Sequence, residues 1–264
     1  MHSSKLQRTF SRRAGVVVGT IVMACLAMGW LGPIAQPLDY HEFADRRMWL
    51  GMVNGLNVMS NAGFLIVGLI GLAYALRLWR QRANASVLPY TVMYLGVVLT
   101  AFGSGYYHLA PDNESLVWDR LAMITVFAGF TCSAVGELVS RRLADGLLTP
   151  LLVAGAASVW YWIYTERVGV GDVRWYVLLQ FLPMVVVPML LVLYPRPARY
   201  ARYLVMMFVF YSTSKLFEFL DAQVYAWLGV VSGHTLKHLA ATAAVACLLP
   251  ILHARHYSVP RRYP

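Results

Sequence analysis

Eight stretches of this chain stay apolar for about the 20 residues that a helix needs to cross a bilayer. They run roughly 14–35, 52–78, 88–109, 117–138, 147–165, 173–194, 202–222 and 233–253. Inside hydrocarbon no water is present to satisfy a backbone N–H or C=O. A spanning segment therefore bonds to itself as a helix or closes into a barrel. Runs this long are of helix length, so the expected fold is all-α, a polytopic membrane helical bundle. The connections are short, which leaves no separate soluble domain. Composition agrees: 59% of residues are hydrophobic and 13% charged, against about 25% charged in soluble domains.

Lysine and arginine orient the spans. Fifteen of the 22 fall on the side of the N-terminus when the segments alternate, including every cluster of three or more. Cytoplasmic loops carry this bias, so both termini are expected in the cytoplasm. The same bias accounts for the net charge of +10, and no nucleic-acid partner is called for. Residues 1–36 form a basic leader and a first span. The leader MHSSKLQRTFSRR is like that of a signal sequence. The apolar run after it is long for one and AQPLDY is a poor cleavage site, so an uncleaved helix is expected. Cys25, Cys132 and Cys247 all lie in apolar runs without CxxC spacing, and read as small core residues.

This topology sorts the polar residues by depth. Ser104 and His108 close the third segment, Asp119 opens the fourth, and His234 and His238 open the eighth. All fall near the non-cytoplasmic end. His234 and His238 are four apart and share a helix face, so two imidazoles can reach one ion, and His108 can supply a third. Three histidines with one open position form the arrangement of catalytic zinc. Asp119 can take a proton from a water there, and Ser104, one turn before His108, can donate to a developing oxyanion. A lone histidine at an interface is usually a polar tip, and HxxxH arises often by chance. Convergence at one depth favours the metal, since ionisable groups inside membranes are rare and functional by default.

Other polar residues read as structural. Lys215, Glu218 and Asp221 share the seventh segment at a spacing that suits a local ion-paired cluster lining the cavity, with headgroup contact as the competing role. Gly103 and Gly105 suit a close backbone approach around Ser104.

The set GSGYYH, a following Asp and a late HxxxH, with VMSNAGFLIVG at 58–68, resembles the alkaline ceramidase branch of a membrane hydrolase superfamily. That superfamily also includes adiponectin-type receptors and GPI-anchor remodelling proteins. The resemblance covers about residues 38–253. It implies a seven-helix hydrolase core, here 37–256, preceded by one extra N-terminal transmembrane helix and followed by a cytoplasmic tail at 257–264. It implies zinc on His108, His234 and His238, with Ser104 and Asp119 beside it, and hydrolysis of the N-acyl bond of ceramide or another N-acyl lipid. Some relatives also bind calcium through an acidic loop. LDYHEFADRR occupies that place, giving Asp39, Glu42, Asp45, Asn54 and Asn57 as candidate ligands. Tyr40 stands where those relatives carry Trp, and Arg46 and Arg47 follow at once, so pairing of the acids with these arginines competes with calcium. A receptor or sensor, a lipid esterase and a transporter are the alternative functions. A basic chain with such short loops suits a bacterial inner membrane, with the site near the periplasmic face.

Overall fold

The computed structural model describes residues 2–81, 87–194 and 198–258. The described residues are 82% helical, with no strand. The helices are α1 (His2–Trp30), α2 (Gly55–Ser60), α3 (Ala62–Arg80), α4 (Val87–Leu109), α5 (Asn113–Leu138), α6 (Arg141–Arg167), α7 (Arg174–Leu193), α8 (Ala198–Phe219), α9 (Asp221–Leu228), α10 (Gly233–Ala246) and α11 (Leu249–Ser258). Seven are long and apolar enough to cross a membrane, counting Gly55–Arg80 and Gly233–Ala254 as one span each. An eighth is reached if α8 and α9 are joined, but these two meet at 80°. The all-α multi-pass bundle is thus as expected. The seventh segment differs: it breaks at Leu220, and α9 turns away with no buried residue. By contrast α7 runs through Pro183 and Pro188 without a break. Residues 259–264 of the tail, with Arg261 and Arg262, lie outside the described residues, as do Arg82 and Arg196.

Small residues set how closely the central helices approach. Without a hydrophobic force between helices in lipid, packing decides. A Cβ on Gly129 would stand 2.5 Å from the Met93 backbone nitrogen. One on Gly96 would stand 2.7 Å from that of Val126, and one on Gly103 would stand 2.6 Å from the Trp118 carbonyl oxygen. So α4 and α5 touch backbone to backbone along their length, ending beside Asp119. Gly105 differs from the sequence reading, since its Cβ would face open space.

At one end of the bundle the connections bond to one another. Val173 N–H donates to Ile34 O (2.8 Å), and Ala44 N–H to an Asp221 carboxylate oxygen (2.9 Å). Arg47 donates to the Val230 carbonyl (2.8 Å), and the His41 ring contacts Asn113 Oδ1 (3.0 Å) and Tyr107 Oη (2.9 Å). The segment 31–54 therefore lies across this end and contacts the other three connections. It is latched from below by Arg120, whose guanidinium stacks on Trp162 (3.8 Å) and bonds Gln36.

Two tests follow from this packing. Gly129→Val forces α5 away from Met93, and overpacking of this kind destabilises by about 1–3 kcal/mol. A lower melting temperature in detergent is the expected result. The second test uses Asp172, in the loop before α7. Burial pushes its carboxyl up, but bonds from Arg174, the Tyr161 hydroxyl and the Ile34 amide hold it down at about 2. The unfolded value is about 4. Folding is therefore favoured above pH 4, and that contribution fades as pH falls from 4 toward 2. Unfolding midpoints should fall more steeply across this window in the wild type than in Asp172→Asn.

Candidate metal centre

The three histidines meet although they come from distant segments. Asp112 caps α5 by accepting from Ser115 N–H (2.7 Å), which fixes the turn after His108 and brings Asp119 back into the bundle. Helix α10 is started by two oxygens. Ser232 Oγ accepts from Thr235 N–H (3.2 Å), and Asp221 accepts from His234 N–H (2.7 Å). These caps satisfy amides that the helix cannot bond itself. Asp221 is therefore a backbone anchor joining α9, α10 and the loop at Ala44. It is not the third member of the expected ion-paired cluster.

His108, His234 and His238 are all buried, and each offers a ring nitrogen within 4.8 Å of the others. It is the one cluster of three or more His, Cys, Asp or Glu among the described residues that could hold a metal ion. Ring centroids are 4.8–4.9 Å apart. His108 Nε2 and His238 Nε2 lie 3.3 Å apart. Two nitrogens bound to one tetrahedral zinc at about 2.0–2.1 Å are themselves separated by about 3.3 Å. The tautomer agrees. Ser60 Oγ donates its one proton to the Asn57 carbonyl (2.9 Å), so it accepts from His238 Nδ1 (2.7 Å) and leaves the Nε2 lone pair turned inward. His108 Nδ1 has no partner although buried. Phe43 covers the triad from the loop, 4.7 Å from the His108 ring and 4.5 Å from His234.

Beneath the triad lies a partly open cavity of about 100 Å³. Its polar end carries His238, Ser104, Asp119, Ser214, Lys215 and Lys237. The remainder is apolar, lined by Val97, Met93 and Phe130 among others and closed by Leu248. From Asp119 to Phe130 along α5 is about 16 Å at 1.5 Å per residue. Ser104 and Asp119, singled out from the sequence, therefore share one chamber with His238.

The acidic loop is arranged differently from a shared ion site. Asp45 forms a two-pronged pair with Arg47 (2.8 Å), and Glu42 pairs with Arg46 (3.2 Å). Asn57 is committed to Thr235 and Ser232 through its oxygen, and Asn54 donates to the His108 carbonyl (2.9 Å). Asp39 sits in a short 3-10 turn, Leu38–His41, where its carbonyl accepts from Glu42 N–H. Asp45 and Glu42 take the arginine pairing. The two asparagines instead bond to the helices that carry the histidines.

Ser60, Phe43 and Asp221 are the contributors that sequence reasoning did not assign to the site. Ser60 was visible as a hydroxyl within an apolar run, but its partner is 178 residues away. Comparisons with protein-family models, curated proteins and solved structures find no match for this chain.

Elemental analysis of the purified protein should find about one zinc per chain, the ion that a three-histidine set with an open fourth position suits. His108→Ala, His234→Ala and His238→Ala should each abolish it. Ser60→Ala should weaken affinity by about 10–100-fold, as loss of a bond behind a ligating histidine does.

Proposed function

We propose that this protein is a zinc-dependent integral membrane hydrolase that cleaves the N-acyl bond of a lipid. The observation that carries the reading is the pairing of a buried histidine triad with a carboxylate and an apolar chamber. The alkaline-ceramidase-like residues GSGYYH, Asp119 and HTLKH support the same chemistry.

His108, His234 and His238 would hold the ion. Zinc bound there lowers the pKa of a water and polarises a carbonyl. The chain's own residues supply the rest. The acyl chain lies along Val97, Met93 and Phe130, which leaves the amide at the polar end. Asp119 accepts the proton of the attacking water and returns it to the departing amine. The Ser104 hydroxyl donates to the carbonyl oxygen as negative charge builds on it. Phe43 and the loop around it keep bulk water from the reacting atoms, which strengthens each of these interactions. By the lysine and arginine bias the polar end of the chamber lies near the non-cytoplasmic face, the periplasmic side of a bacterial inner membrane.

The test is release of fatty acid from a panel of N-acyl and O-acyl lipids, ceramide included, by zinc-loaded protein in detergent. Hydrolysis of an amide-linked lipid is expected, with loss of activity on chelation and recovery with zinc. Asp119→Asn should lower kcat by about 10²–10⁴ while zinc content holds. Wild-type protein that binds no metal, or that cleaves no acyl lipid when loaded, would rule the reading out.

A further inference from the structure

Two lysines stand at the polar end of the chamber, and the hydrolytic chemistry above leaves them without a task. Lys215 Nζ and Lys237 Nζ each lie 2.6 Å from Glu218, on its Oε2 and Oε1 respectively. Both lysines line the chamber and Glu218 does not. The carboxylate thus sits behind the two ammonium groups and holds them side by side, while the chamber meets their positive side. An ammonium has three donors. Lys215 spends one on Glu218. Lys237 pairs with Glu218 and lies 3.4 Å from His234 Nε2, which has no lone pair to offer it once the ring holds an ion. Both keep donors in hand. Ionisable groups inside a membrane are costly, and such groups face a functional cavity when they persist.

Charge balance points the same way. Around the chamber the two lysines are offset by Glu218 and Asp119. Asp221 stands behind His234, so a divalent ion on the triad then leaves an excess of one positive charge. A ceramide headgroup has hydroxyls and no anion to offer. A lipid whose amide nitrogen carries a carboxylate close by would fit: acyl chain in the apolar end, carbonyl beside the triad and Ser104, carboxylate on the lysines.

We propose that Lys215 and Lys237, held by Glu218, form a carboxylate subsite, and that the lipid bound is an N-acyl amino acid. This rests on the N-acyl hydrolase reading for turnover, but the subsite itself is a binding property. A carboxylate could also arrive as the free fatty acid released by the reaction, so the test separates the two.

Binding of N-palmitoylglycine, its methyl ester, palmitate and a C16 ceramide is measured by titration calorimetry in detergent on zinc-loaded protein, with hydrolysis followed in parallel. N-palmitoylglycine should bind about tenfold or more tightly than its methyl ester, the effect of one bond to a charged group. Lys215→Met and Lys237→Met should each shrink that preference, and the pair together should remove it. Zinc stoichiometry is measured on every variant, and Lys215→Met, farther from the triad in sequence, serves if Lys237→Met fails to fold. Acid preference that the lysine variants abolish upholds the subsite even if no lipid is cleaved, in which case only the hydrolase reading falls. Equal affinity for acid and ester overturns it. So does preference for palmitate alone, or a preference that survives both substitutions.

Discussion

The contact between Ser60 Oγ and His238 Nδ1 ties the first half of the bundle to the last. Because the serine proton goes to the Asn57 carbonyl, the imidazole must donate, and its other nitrogen turns toward His108. Asn57 in turn accepts from Thr235 and Ser232 on α10. One short helical turn thus orients a candidate ligand and accepts from the hydroxyls at the start of the helix that bears two of them. In a bundle buried in lipid these polar groups have no water to fall back on, so each must find a protein partner. The network is dense where the chamber is polar and thins out where it is apolar.

The outer loop has a second task beyond joining spans. Phe43 seats on two of the histidine rings, and the backbone beside it is pinned by Asp221. Arg120 and Gln36 latch the loop from the other side, against Trp162. A cover fixed at several points holds Phe43 on the triad, and the Asp45–Arg47 pair ties the loop to the Val230 carbonyl. Asp45 is where sequence and structure pull apart most: an acid that suits a cation site by composition is spent on Arg47.

Much of this architecture could be read from the residues alone, and for a plain reason. Hydropathy is a local property and spacing is a local property, so the apolar helices other than the broken seventh segment, the HxxxH face and the gathering of Ser104, His108 and Asp119 at one end of the bundle are legible. What stayed hidden depends on partners that the local pattern does not name, some of them more than 100 residues away. Asp221 looked like part of an i, i+3, i+6 charge cluster, yet it bonds to amides of His234 and Ala44 after the chain breaks at Leu220. The break has no proline to announce it. Gly103 and Gly105 looked alike, and only their rotation around α4 separates a backbone contact from open space.

The separation of the histidines along the chain also bears on how the molecule is made. His108 enters the membrane with α4, whereas His234 and His238 wait for α10, close to the end of the described chain. During synthesis the early helices insert without the ligands that complete the triad. The cluster then comes into being as a late event, when α10 docks against α2, α3 and α8. Any ion it takes up would act as a clasp that cannot close before α10 has docked, linking metal supply to a step after the first spans are in place.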